Sequence, residues 1–228
     1  MPTRLTLPPP VRQAFDRLAA DLQRVFADRF VALVASGAHA SVVFATAIRP
    51  DDLETLAPLS ETWNRDDLDA PLVLTPHEFR RSLDAFPMEY QALLDRHTVI
   101  AGTPPFEGLV IDRDNLRRAC EVQAKSHVIH LRQGWIHSGG DEAQLAELLG
   151  RSAPALRALL SDIARLHGAT GEADAIAGAR TAGVDLDLTR ELLQLEDHPR
   201  HTHALVRRLP DCVAMADRLW AFVDTWTS

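Results

Sequence analysis

Lysine is almost absent from this chain: Lys125 stands alone among basic residues that are otherwise all arginine. Arginine keeps its charge and offers a planar fork to carboxylates and phosphates. An arginine-biased coding sequence with one lysine left on the surface explains the imbalance without assigning Lys125 a role. Cysteine is scarce too. Cys120 and Cys212 are far apart and form no C-x-x-C pair, which excludes a disulfide framework and a thiol metal knuckle. No apolar run approaches a membrane-spanning length, and the Pro-rich opening Met1 to Pro10 lacks the apolar core of a secretory signal. The expectation is a cytoplasmic protein without a membrane partner. A net charge of -8 excludes a broad cationic surface, so duplex nucleic acid is not an expected partner.

What remains is an ordinary globular composition, 46% hydrophobic and 25% charged, which excludes global disorder. Its 228 residues suffice for one large domain or two small ones. From Val11 to Phe30 the apolar stripe Val11, Phe15, Leu18, Leu22, Val25, Phe26 and Phe30 predicts a helix opened by Pro8-Pro9-Pro10. Two β-rich runs follow, Phe30 to Ala35 and Ser41 to Ile48, across a short turn containing Gly37. That is a hairpin pattern.

A helix beginning at Arg49-Pro50 carries Leu53, Leu56, Leu59 and Trp63 on its stripe, and Pro71 to Thr75 predicts a third strand. Thr75-Pro76-His77-Glu78 has the spacing of a capping box and predicts a helix to Ala85. A further helix is expected over Pro87 to Arg96, a fourth strand over Thr98 to Ala101 and an extended segment over Phe106 to Ile111. Beyond Asp112 the pattern becomes helical throughout. The expected helices are Asp114 to Ile136, Asp141 to Leu149, Ser152 to His167, Glu172 to Ala182, Leu188 to Leu195 and His203 to Trp226. The predicted class is α+β: a small mixed sheet with flanking helices over residues 1–111, then a helical bundle over 112–228.

Three sets of residues could carry chemistry. His127, His130 and His137 recur at i, i+3 and i+10 on one face of a helix, and imidazoles ligate zinc, copper or nickel. The spacing matches no standard zinc motif, so packing or surface histidines are the simpler reading; the same holds for His198, His201 and His203, read as an interhelix loop and cap. Arg117, Arg118 and Lys125 lie on one helix and, with Arg80-Arg81 and Arg207-Arg208, could line an anion groove, although solvated faces are the plainer expectation. Asp51 and Asp52 stand at a helix start, and Asp66, Asp67 and Asp69 in the loop before the third strand, where helix dipoles and solvent suit them.

The order of elements, with Phe30-Val-Ala-Leu-Val-Ala-Ser-Gly37, the strand from Ser41 and Ala70-Pro-Leu-Val-Leu-Thr-Pro-His-Glu-Phe79, resembles the nucleotidyltransferase fold of the DNA polymerase β superfamily. The likeness is to small bacterial members with a C-terminal helical domain, and it extends over the layout of the chain. The resemblance implies a Gly-Ser turn that holds nucleotide phosphates. It also implies two aspartates, one residue apart, on the second strand and a third acid on a later strand, holding two magnesium ions. Here the turn reads Ser36-Gly37, and Ser41-Val-Val-Phe-Ala-Thr46 and Leu72-Val-Leu74 contain no acid. The implied protein is a degenerate member without catalysis or a required cofactor. It would be a binding or regulatory module for a small molecule or protein, with its groove between sheet and bundle and a homodimer as one arrangement. Two alternatives stay open: an active enzyme using magnesium and a nucleotide through the displaced acids Asp51, Asp52 and Asp69, and a metal-binding helical protein.

Overall fold

A computed structural model describes residues 3–169, 174–195 and 202–226. They form two compact units, Met1–Ile111 and Asp112–Ser228. The class is α+β, with a small mixed sheet and flanking helices followed by helices alone.

In the first unit, β1 (Thr3–Arg4) is followed by α1 (Pro9–Phe26), whose apolar stripe turns Phe15, Leu18, Leu22 and Phe26 inward. A 3-10 turn, Ala27–Arg29, delivers the chain to β2 (Phe30–Ala35), and β3 (Ser41–Ala45) returns antiparallel to it. The hairpin expected from the two β-rich runs is present, closed by Ser36 N–H donating to the Ala40 carbonyl at 3.0 Å.

The single helix expected after Arg49 is instead broken. Helix α2 (Pro50–Leu56) runs into a 3-10 turn containing Pro58, and α3 (Ser60–Arg65) follows. Proline cannot donate the intrahelical bond at its position. Leu56 and Trp63 are still buried, while Leu53 is exposed.

Strand β4 (Leu72–Leu74) lies parallel to β3 at one edge. Then come α4 (Pro76–Arg81), α5 (Pro87–Asp95) and β5 (Arg96–Gly102). The predicted capping box is formed, with Thr75 Oγ1 accepting from the Glu78 N–H and the Glu78 carboxylate accepting from the Thr75 N–H. Helix α4 ends at Arg81, short of Ala85, and the extended segment expected over Phe106 to Ile111 is interrupted by a turn at Glu107 and Gly108 and joins no strand. The sheet order is β1-β5-β2-β3-β4, with parallel pairing at both edges and antiparallel pairing between them.

Alternation of side chains along the strands builds a core on each face. Leu33, Ala35, Val43 and Ala45 meet Phe15, Leu18, Leu22, Phe26, Leu56 and Trp63. On the other face the Phe44 ring packs edge-on against Phe79 at 5.2 Å and Phe106 at 5.8 Å, and Phe79 meets Tyr90 at 4.6 Å.

The second unit comprises α6 (Arg113–Ser138), α7 (Glu142–Leu166), α8 (Ala175–Thr181), α9 (Leu186–Leu193), α10 (Thr202–Val206) and α11 (Leu209–Asp224). The break expected at Gly150 is absent. Helix α7 continues through Gly150 and Pro154 because Leu145, Leu149, Ala153, Leu156, Leu160 and Ile163 form one uninterrupted buried stripe. Conversely, the helix expected over His203 to Trp226 is divided at Arg207-Arg208, where Pro210 occupies the first turn of α11. The expected start of α8 at Glu172 lies outside the described residues. Cys120 and Cys212 are both free and buried, and burial pushes both thiols up, Cys212 to about 12. Among the described residues no helix is long and apolar enough to cross a membrane.

Candidate functional site

The turn singled out by the resemblance, Ser36-Gly37, is an exposed hairpin connection running directly from β2 into β3. No helix starts there, so the convergent N–H groups that make a helix N-terminus an anion cradle are missing. A Cβ placed on Gly37 would find its nearest neighbour, Ala40 Cβ, at 3.9 Å, so the turn does not require glycine for space. The tip is held from the side, where His39 Nδ1 lies 2.6 Å from the Asp67 carbonyl and 3.2 Å from its carboxylate.

Strand β3, where the resemblance implies metal-binding acids, presents five buried residues and no carboxylate. Its one polar side chain, Ser41, has a buried hydroxyl without a hydrogen-bond partner. The displaced acids are dispersed in their engagements. Asp51 is exposed in the first turn of α2. Asp52 is 5% exposed and bound by Arg29 through two hydrogen bonds of 2.6 and 2.7 Å, while the Arg49 N–H donates to it at 2.7 Å. These contacts, the Arg29 bonds foremost, hold the Asp52 carboxyl down at about 2. The expectation of a solvated dipole residue is thereby corrected for Asp52, which is a buried ion-pair partner. Asp66 pairs with Arg17 at 2.9 Å. Asp69 is exposed, and its backbone N–H donates to the His39 carbonyl at 3.0 Å.

In the second unit the expected anion groove is neutralised from within. Lys125 Nζ lies 2.5 Å from Glu121 and 3.0 Å from Asp224 on α11, and 5.9 Å from the Trp220 ring centroid. Arg117 also reaches Glu121, at 3.7 Å, and Arg118 donates to the Asn115 side chain. The lone lysine is therefore a clamp between two helices, which revises its reading as a leftover surface residue. The histidines separate as well. His127 is 7% exposed, and burial lowers its pKa to about 4, helped by His130; His130 and His137 face solvent. Rotation of the helix between i and i+3 suffices to pass from core to surface. Among the described residues no three His, Cys, Asp or Glu side chains gather as a metal site. His198 and His201 lie outside the described residues, and His203 falls within α10.

One concavity was not anticipated from the sequence. Beside β4 lies a groove of about 620 Å³ walled by Leu72, Leu74, Phe86 and Tyr90, with Arg81 and Glu89 also lining it. Helix α4 delivers Arg81 from its last turn, and α5 delivers Glu89 and Tyr90 from its first. Tyr90 Oη lies 3.0 Å from Ser82 Oγ, so the phenol is anchored and its ring faces the apolar space. The sequence signal was the alternation Leu72, Leu74 on a strand whose neighbours leave it at an edge, but edge position is a property of topology and not of the run itself.

Compared with known protein families, with curated proteins and with solved structures, the chain matches none.

Proposed function

We propose that the chain is a catalytically inactive nucleotidyltransferase-like protein that works as a binding or regulatory module. The observation that carries the reading is the acid-free β3, in a hairpin followed by a displaced carboxylate, Asp52, that is already held by Arg29 and the Arg49 N–H. In-line nucleotidyl transfer needs metal ions that neutralise and align phosphate oxygens, and carboxylates must hold those ions. Magnesium demands near-octahedral oxygen geometry at short range. Asp52 would have to abandon three hydrogen bonds to serve, and exposed Asp51 and Asp69 sit on separate elements. The order of elements, a β hairpin in a mixed sheet with flanking helices and then a helical unit, supports the resemblance at the level of layout.

The test is incubation with labelled nucleoside triphosphates and candidate acceptors, with magnesium or manganese, alongside thermal shift with the same nucleotides. The expected result is no turnover. Turnover in the parent protein that disappears in Asp51→Ala or Asp69→Ala would sink the inactive reading and promote the displaced-acid enzyme. These two positions serve better than Asp52, whose replacement also removes the Arg29 ion pair.

A further inference from the structure

We propose that the groove beside β4 binds an amphipathic monocarboxylate, a small molecule with an apolar or aromatic body and a single carboxylate head. The proposal goes beyond the nucleotidyltransferase-like reading and uses different residues.

The apolar requirement comes from the walls. Leu72 and Phe86 are each half exposed, at 50%. Hydrophobic side chains left in water on two sides of one concavity favour an apolar occupant, since covering them releases the cost of hydrating them. The space, about 620 Å³, falls within the range of small-molecule sites.

The head group follows from charge. Arg81 lines the groove and has no carboxylate or hydrogen-bond partner among the described residues. Glu78, on the same helix and also lining the groove, has its carboxylate held by the Thr75 N–H at 2.8 Å and hydroxyl at 2.9 Å and makes no ion pair with Arg81. A free guanidinium beside an apolar wall matches a carboxylate, to which it can donate two parallel hydrogen bonds. Glu78 and Glu89 line the same groove and repel any negative charge beyond the one that Arg81 can pair, which favours a monoanion over a phosphate dianion or a triphosphate.

An added peptide strand is the other natural occupant of a sheet edge. Here it is disfavoured. β4 is three residues long and bracketed by Pro71 and Pro76, neither of which has an N–H to donate. Such short, proline-flanked edges discourage strand addition.

The test uses the full chain with decanoate, decan-1-ol and decyl phosphate as probes, measured by isothermal titration calorimetry. Three proteins are compared: wild type, Arg81→Gln and Phe86→Ala. Both substituted side chains are exposed, and circular dichroism checks that the variants fold. Decanoate is expected to bind wild type saturably at one site and more tightly than decyl phosphate. Arg81→Gln should weaken decanoate about tenfold, the loss of one charge-assisted pair, and leave decan-1-ol unchanged. Phe86→Ala should weaken both. Absence of saturable decanoate binding, equal binding by Arg81→Gln, or displacement of decanoate by ATP would overturn the proposal. ATP turnover without displacement would instead count against inactivity alone, so the two readings fail separately.

Discussion

Arg29 and Asp52, separated by 23 residues in sequence, form a bidentate ion pair with hydrogen bonds of 2.6 and 2.7 Å. The same guanidinium donates to the Ala47 carbonyl at 3.0 Å, and the Arg29 carbonyl accepts from the Thr46 N–H at 2.8 Å. The pair thus ties the entrance of β2 to the segment leaving β3 and to the start of α2. Removing Asp52 leaves the part-buried Arg29 guanidinium without its carboxylate, so the loss exceeds that of an exposed pair. Asp52→Ala is expected to lower the urea midpoint clearly, whereas Asp51→Ala, at the exposed neighbouring position, should leave it nearly unchanged. Equal effects of the two substitutions would show that the ion pair contributes nothing special.

The same pair sets an acid limit. The Asp52 carboxyl has its pKa lowered from 3.8 to about 2, chiefly by hydrogen bonding to Arg29. A depressed folded-state pKa means that the unfolded chain takes up the proton first. The stabilisation is therefore complete above the unfolded value of 3.8 and is lost as pH falls through about 2. The stability gap between wild type and Asp52→Asn, followed by urea unfolding, is expected to be widest above pH 5 and to close toward pH 2. A gap independent of pH over that interval would count against the linkage.

His127 acts in a different window. Burial lowers its pKa from 6.5 to about 4, with His130 adding repulsion. Between those values the unfolded chain binds a proton that the folded chain refuses, so stability falls as pH drops from 6.5 toward 4. His127→Gln removes the titrating group and should flatten this part of the profile. Equal slopes in variant and wild type, measured by denaturant midpoints across the window, would assign the pH dependence elsewhere.

Short-range patterns in the sequence are the ones the structure reproduces. The capping box at Thr75 and Glu78 and the Ser36 to Ala40 hairpin each depend on neighbours within a few residues, so the local code is nearly complete there. Arg29–Asp52 and Lys125–Asp224 depend on tertiary placement, and neither spacing signals a contact. The groove was invisible for a related reason: Leu72 and Phe86 look like ordinary core residues until the topology puts β4 at the sheet edge. Gly150 misled in the opposite sense. A glycine in mid-pattern reads as a helix end, yet the leucine stripe on either side overrides it.

Two glycines in the second unit look alike in sequence and should respond oppositely to alanine. Gly178, on α8, sits where an added Cβ would lie 1.8 Å from the Leu160 carbonyl oxygen of α7. Rigid backbone atoms on both sides cannot yield as a flexible side chain would, so the two helices must separate. Overpacking of this kind typically costs about 1–3 kcal/mol, and here it would also expose Ala175 and Ala179 on the same buried face. Gly150, in the interior of α7, has nothing within 4 Å of an added Cβ. There alanine reduces the freedom of the unfolded chain without a clash, a gain of roughly 0.5–1 kcal/mol. Thermal unfolding of the two variants should therefore place Gly178→Ala below wild type and Gly150→Ala above it. If Gly178→Ala instead unfolds at or above the wild-type temperature, the close approach of α8 to α7 at Leu160 is not a feature of the folded protein.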